Sequence, residues 1–373
     1  MAAKKQASAP AAGQAPSTGA ELKHCLVTGG SGFAGSHLAS ALLAKGCKVR
    51  VLDIKKPVNV LKGVDYVQGN LSDQALLERV CDGVDTVFHM AAVIELMGGR
   101  GMSQKYRDLS EAVNIQGTKN VYHACKTKGV KRMVYTSSYN ACNDSKPIFS
   151  ARSDQPYATA HFDEYTRTKS ISEPWLLQQS DPSGVLTCAI RPPGIWGSGS
   201  NIQIDSFVEQ LMGGAFKATL GSPQAVMDNV HADNLAHAEI LAAEHLVPGS
   251  PVCGKAYFIS DDDPMNLYVW FKPLCEGLGH KYPRISVPAW LVRPVMVIWQ
   301  YLHFKAGLPR PALTPKQLDI ATTTYFANME DARKDFGYEP IVSTEEGMRE
   351  CIAYCKANLS SILAAREAAK KRI

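Results

Sequence analysis

Cys25-Leu-Val-Thr-Gly-Gly-Ser-Gly-Phe-Ala-Gly35 is the stretch that decides the fold of this chain. Cys25 to Val27 is a short apolar run and reads as a buried strand, closed by Thr28. Gly29, Gly32 and Gly35 follow at every third position and lead into a helical pattern that runs to Ala44 and stops at Gly46. A strand, a tight glycine turn and a helix start, in that order, suit a pyrophosphate. Glycine permits the turn and lets the backbone approach a ligand. The helix N-terminus offers unpaired N–H groups and a partial positive charge. Glycine-rich turns often carry no ligand, so the neighbouring segments have to support this one.

Lys48 to Asp53 reads as the next strand, and Asp53 ends it. An acid about 20 residues beyond such glycines is where a ribose-binding carboxylate falls. A turn residue is the bland use of an Asp there. A carboxylate would bond the ribose hydroxyls and repel a 2′-phosphate, which favours NAD over NADP. Lys55 and Lys56 follow at once and weaken that preference without reversing it.

Asp65 to Gln68 is a third strand, followed by Gly69-Asn70-Leu71-Ser72-Asp73, with Asp73 able to cap a helix through Val80. Thr86 to His89 is a fourth, and the small residues of Met90-Ala91-Ala92 let a ligand lie close at the strand's C-terminal end. Residues 95–105, with Gly98, Gly99 and Gly101, read as a mobile loop. A long helix from Tyr106 to Lys128 carries Asn114, which inside a helix is mildly unfavourable. A solvated Asn and a functional one fit equally well. Arg132 to Thr136 is a fifth strand ending in Ser137-Ser138. After an irregular segment comes a helix on which Tyr165 and Lys169 are four apart and share a face. Leu186 to Arg191 is a sixth strand, with Pro192-Pro-Gly194-Ile-Trp-Gly197 after it. Strands and helices that alternate this often predict an α/β fold, a Rossmann-type doubly wound parallel sheet.

The chain has 373 residues, 45% of them hydrophobic, enough for one large domain with an appended lobe. Its net charge of +5 comes largely from the ends, including Lys370, Lys371 and Arg372. No basic patch with interleaved aromatics is present, which argues against nucleic acid. The ten cysteines include no Cys-x-x-Cys pair, so reduced thiols are expected and no metal site. Cys351 and Cys355 would share one helix face, as core packing requires. Residues 1–22 lack an apolar segment and read as a disordered tail.

Tyr165 and Lys169 alone are a weak signal. A Tyr general base needs its pKa brought from about 10 toward 7, roughly 4 kcal/mol. A lysine ammonium near 4 Å, at an effective dielectric of about 20, supplies on the order of 4 kcal/mol. One close lysine is therefore a perturbation of the right size.

Thr28 to Gly35, Asp53, Val87-Phe-His-Met-Ala-Ala92, Asn114-Ile-Gln-Gly-Thr118, Tyr135-Thr-Ser-Ser138, Tyr165-x-x-x-Lys169 and Arg191-Pro-Pro-Gly194 form an ordered set. Asn229-Val-His-Ala-Asp233 and Phe336-Gly-Tyr-Glu-Pro340 continue it. The set resembles the extended short-chain dehydrogenases/reductases, and within them the 3β-hydroxysteroid dehydrogenase family. The resemblance implies NAD-dependent oxidation of the 3β-hydroxyl of a steroid or sterol to the ketone. Tyr165 would be the base, Lys169 would lower its pKa and hold the nicotinamide ribose, and Ser138 would polarise the substrate oxygen. Asn114 would hold a proton-relay water. Gly29, Gly32, Phe33, Ala34 and Gly35 would meet the cofactor at the turn, and Asp53 its ribose. Asn70 and Leu71 would lie by the adenine, Ala91 and Ala92 along the sheet edge, Pro192 and Gly194 by the carboxamide. Asn70 stands where the family often has Asp.

The implied layout is an NAD-binding domain over 23–197, a substrate lobe over 198–358 with segments returning to the sheet, and a basic tail over 359–373. The mostly apolar 288–304 is too short and too interrupted to span a bilayer. It predicts a lobe helix, with Trp290, Trp299, Tyr301, Arg293, His303 and Lys305 suited to monotopic membrane contact. By resemblance the cytosolic face of the endoplasmic reticulum is one location, the cytoplasm another. Lys370-Lys371 has the position of a dilysine retrieval signal, and also that of a solvated helix tail. A homodimer stays open. So do sterol-4α-carboxylate 3-dehydrogenase, nucleotide-sugar epimerase, flavonoid-type reductase and a non-catalytic structural subunit as alternatives.

Overall fold

The computed structural model describes residues 19–94, 104–144, 146–161, 163–200, 202–309 and 314–370. Seven strands form the central sheet: β1 His24–Thr28, β2 Lys48–Asp53, β3 Val64–Gln68, β4 Thr86–His89, β5 Arg132–Thr136, β6 Leu186–Arg191 and β7 Ala256–Phe258. All pair in parallel, in the order β7-β6-β5-β4-β1-β2-β3. The order reverses between β1 and β4, and a crevice opens at the C-terminal edge of such a sheet at that point. Every residue of β4, β5 and β6 is buried, because helices cover both faces.

The helices are α1 Phe33–Ala44, α2 Gln74–Cys81, α3 Gln104–Ser110, α4 Thr118–Lys128, α5 Glu164–Leu177, α6 Ile204–Met212 and α7 Ala232–His245. Further along come α8 Leu267–Gly277, α9 Ala289–Ala306, α10 Pro315–Thr322, α11 Glu330–Phe336 and α12 Thr344–Lys370. Period-two alternation divides each strand between the two layers. Val27, Val51, Phe88, Val134 and Ile190 pack with α1 and α7. Leu26, Leu52, Val87, Met133 and Tyr135 pack with α2, α4 and α5. Asp73 caps α2, accepting the Leu76 N–H at 3.0 Å.

The long helix expected from Tyr106 to Lys128 is not continuous. A π-helical turn, Glu111–Gly117, separates α3 from α4. The loop expected over 95–105 lies outside the described residues through 103. Residues 1–18 of the expected tail also lie outside them. Residues 19–22 are held instead: the Ala20 N–H bonds Glu244 O at 2.6 Å and Leu22 is buried.

Beyond Gly197 the chain builds a lobe core from α6, α8 and α12 around Trp196, Trp270, Cys351 and Cys355. Both cysteines are packing residues, and all ten are free thiols. β7, α7 and α11 return to the sheet layers. The basic tail expected from 359 is instead the end of α12, where Ile362 is buried in the lobe core. Lys371 to Ile373, half of the dilysine pattern, lie outside the described residues.

Residues 288–304 form the expected helix, α9, but it is not a buried one. None of its residues is buried, and Trp290 is 72% exposed. Its ties are local: Arg293 pairs with Asp319 on α10, and the Trp299 indole N–H bonds Pro309 O at 2.9 Å. No helix among the described residues is long and apolar enough to cross a membrane.

Candidate active site

The glycine turn is held by backbone bonds and by the Asp53 carboxylate. The Gly29 N–H bonds Leu52 O at 2.8 Å, and the Gly32 N–H bonds Gly29 O at 3.0 Å. Gly29 has φ +73°, and a Cβ there would lie 2.8 Å from Ala91 Cα. At Gly35 a Cβ would lie 2.4 Å from Gly29 O. The turn is therefore closed to side chains. Gly32 caps α1 without a side-chain acceptor for its first amides. Asp53 sits over the turn, its Oδ2 accepting the Ser31 N–H at 3.1 Å and its Oδ1 the Lys55 N–H at 2.9 Å. A bare helix start beside a carboxylate at the strand's end fits a dinucleotide's phosphate and ribose.

The other expected cofactor residues gather along the same edge. The Ala91 N–H lies 3.4 Å from Thr28 Oγ1, with Ala92 next to it. Leu71 is buried against Gly117. Asn70 is exposed, and its Oδ1 accepts the Ser72 N–H at 3.1 Å, an Asx turn. Ala34 packs on the sheet, and the Phe33 ring reaches the Gly197 loop, where a Cβ would lie 3.3 Å from Phe33 Cζ. Pro192 O accepts the Tyr139 N–H at 3.0 Å, and Gly194 lies under the Gln203 amide.

Ser138, just past β5, caps a short 3₁₀ turn by accepting the Asn140 N–H at 3.2 Å. Tyr165 and Lys169 rise from α5, which Asp163 caps through the Thr166 N–H. Burial is the main influence on the Tyr165 phenol, and the Ser138 hydroxyl beside it pulls the other way. Burial outweighs it, with Asp163 and Tyr106 adding to the rise, and the phenol is pushed up to about 12. The fall toward neutrality expected from Lys169 is not found. Lys169 Nζ lies 5.8 Å from the Tyr165 ring centroid and donates to Tyr135 Oη at 3.1 Å and Thr136 O at 2.6 Å. Burial brings Lys169 down to about 7, against the attraction of Glu173 and Glu239.

Asn114 lies within the π turn and is committed to structure. Its Oδ1 accepts the Val93 N–H at 2.7 Å, and its Nδ2 donates to Val93 O and Thr168 Oγ1, both at 3.0 Å. Its carbonyl accepts the hydroxyls of Thr118 and Ser172. It clamps the segment after β4 to α5.

Sequence patterns missed a buried polar string behind these groups. Thr118 gives its one proton to Asn114 O, so its oxygen accepts His89 Nε2–H at 3.0 Å. His89 Nδ1 then accepts the Thr28 hydroxyl at 2.7 Å. Burial and the Lys169 charge bring His89 down to about 3, so it stays neutral and relays hydrogen bonds only. Glu173 and Arg191 form a buried ion pair at 2.7 Å, one α-turn beyond Lys169. Alternation within β4 and β5 could have marked His89 and Thr136 as inward-facing polar residues. Nothing local marks Glu239, whose partner lies 103 positions away.

The sequence profile of the 3-beta hydroxysteroid dehydrogenase/isomerase family matches residues 26–289. A 3-beta-hydroxysteroid dehydrogenase of Mycolicibacterium neoaurum is 39% identical, over 91% of this chain and 93% of its own length. A 3 beta-hydroxysteroid dehydrogenase/Delta 5→4-isomerase of Mycobacterium tuberculosis is 40% identical, over 90% of both chains. Short-chain dehydrogenase/reductase family 42E member 1 of Danio rerio is 36% identical, over 84% of both. Among solved structures, an epimerase from Methanothermobacter thermautotrophicus superposes with TM-score 0.72 at 20% identity, covering 92% of this chain and 94% of its own. A short-chain dehydrogenase/reductase superfamily protein from Agrobacterium tumefaciens with bound NAD gives 0.68 at 18%, covering 91% and 98%. These two show the shared fold. The chain thus belongs to the 3-beta hydroxysteroid dehydrogenase/isomerase family and is an oxidoreductase acting on CH–OH groups.

Proposed function

We propose that this protein oxidises the 3β-hydroxyl of a steroid to the 3-ketone with NAD⁺, with Tyr165 as general base. What carries this reading is the meeting of Ser138 and Tyr165 beside Lys169, at the sheet edge that also bears the glycine turn. Ser138 bonds the substrate oxygen and aligns it with the phenol. Tyr165 takes the hydroxyl proton as the C3–H bond breaks. NAD⁺, when bound, accepts the hydride from C3. Lys169 supplies positive charge under the Tyr165 ring, and a nearby positive charge favours the ionised phenol. Asp53 disfavours a 2′-phosphate by like charge, hence NAD over NADP.

Tyr165→Phe is expected to lower kcat by at least about 10²-fold while calorimetry shows NAD⁺ binding retained. A parental rate in that variant would overturn the mechanism. A panel of 3β-hydroxysteroids with and without a 4α-carboxyl group, scored for NADH and carbon dioxide, identifies the substrate.

The exposed apolar helix α9 supports a peripheral membrane contact, on the cytosolic face of the endoplasmic reticulum, where such substrates dissolve. Trp290, Val297, Tyr301 and Phe304 fall on one stripe of it, and all are exposed.

A further inference from the structure

We propose that Glu239 is a positioning residue for the Tyr165–Lys169 pair: acting through Thr136 from the opposite face of the sheet, its carboxylate supplies counter-charge that opposes loss of the Lys169 proton. This role rests on the assignment of Lys169 made above.

Consecutive residues of β5 point to opposite layers. Tyr135 faces α4 and α5, while Thr136 faces α7. The Thr136 hydroxyl donates to Glu239 Oε1 at 2.5 Å, and the carbonyl of the same residue accepts Lys169 Nζ at 2.6 Å. Glu239 is 0% exposed and Lys169 1%. Thr136 thus bonds two buried ionisable groups, one on each side of the sheet. Glu239 Oε2 has no hydrogen-bond partner.

Two carboxylates draw on Lys169, Glu173 more strongly and Glu239 next. Glu173 lies on its own helix, but Arg191 takes that carboxylate at 2.7 Å and the Tyr157 hydroxyl bonds it at 2.7 Å. Tyr135, Tyr165 and His89 also face Lys169, and His89 is kept neutral. Glu239 is faced by Lys169 from α5 and by the Cys188 thiol from β6. The charges of the other elements packed on α7 are engaged elsewhere. On α1, His37 pairs with Asp233 and Lys45 with Glu244. On α11, Arg333 pairs with Glu339 and Asp262, and Asp331 and Asp335 meet Arg152 and Lys255. His237 lies beside Tyr338.

Burial raises Glu239 to about 8, against the Thr136 hydrogen bond and the Lys169 charge, and brings Lys169 down to about 7, against the attraction of Glu173 and then of Glu239. The two therefore titrate as a pair. As pH rises through this window Glu239 becomes a carboxylate, and its charge opposes loss of the Lys169 proton. Without the carboxyl, Lys169 would lose its proton earlier.

The test is the pH profile of kcat/KM for a 3β-hydroxysteroid with NAD⁺, in wild type, Glu239→Gln and Thr136→Val. The alkaline limb of Glu239→Gln should move acidward by about one unit, so that its rate relative to wild type falls to about one tenth above pH 8. Thr136→Val keeps the carbonyl and should shift the limb the same way by less. Parallel profiles, whether equal or uniformly lowered, would mean a merely structural Glu239 and overturn the proposal. Should Glu239→Gln fail to fold, Thr136→Val decides by the same criterion. Lysine ¹⁵Nζ NMR reads the Lys169 proton directly, with its signal assigned by absence in Lys169→Met. A lower midpoint in Glu239→Gln supports the coupling even if the steroid is not turned over, whereas an unchanged midpoint rejects it.

Discussion

Gly35 shows how one hydrogen in place of a methyl can decide binding. An added Cβ would lie 2.4 Å from Gly29 O and 2.7 Å from Gly30 Cα, both backbone atoms with nowhere to go. Relief requires α1 to move away from the turn, at about 1–3 kcal/mol. Gly35→Ala should weaken NAD⁺ binding by at least about tenfold in calorimetry, since 1.4 kcal/mol is a factor of ten. Binding at wild-type affinity would show that the turn can open. Gly35 and Asp53 were legible in the sequence because a dinucleotide turn is a local pattern. Tyr165 and Lys169 were legible because i,i+4 spacing fixes a shared helix face. What Lys169 touches was not, because its partners Tyr135 and Thr136 come from a strand 34 and 33 positions away. Asn114 stood out as an odd helix residue, yet its clamp on Val93 depends on a backbone irregularity that no periodicity signals.

Among the elements, α9 leaves its apolar side chains uncovered: Trp290, Ile298 and Tyr301 are each at least 60% exposed. Sequence reading could find the apolar helix but not its surroundings, because composition does not say whether protein or lipid covers a face. Burying a large apolar side chain contributes about 1.5–3 kcal/mol. Trp290→Glu with Ile298→Glu should therefore cut co-flotation with phosphatidylcholine/phosphatidylserine vesicles by at least about tenfold. Equal flotation of this variant and the wild type would remove the membrane from the account. The seven-stranded sheet follows from alternation, six of its strands being visible as apolar runs between turn residues. The seventh, β7, is only three residues long and was absorbed into the lobe.

For the whole molecule, the buried pair across the sheet makes stability depend on pH in two opposing windows. Glu239 is raised from 4.5 to about 8 in the fold. Its contribution is complete below 4.5 and is lost as pH rises to about 8. Lys169 is lowered from 10.5 to about 7, so its contribution is lost as pH falls from 10.5 to about 7. Together they place a shallow minimum of Tm near pH 7 to 8. Differential scanning fluorimetry from pH 5 to 10 should show this dip in the wild type. Glu239→Gln should lose its acidic side. A wild-type Tm that climbs steadily from pH 5 to 8 would contradict the sign of the Glu239 contribution.

The π turn between α3 and α4 has a consequence for how this chain tolerates change. Such a turn closes its hydrogen bonds over one residue more than an α-turn. Shortening Glu111–Gly117 by one residue would restore an unbroken α-helix. The Asn114 carbonyl would then take a backbone N–H four residues on, in competition with the Thr118 and Ser172 hydroxyls that it accepts now. Substitutions in this segment trade one contact for another, whereas a single deletion redraws the hydrogen bonds around Asn114. Length, more than identity, is what this part of the chain has to preserve.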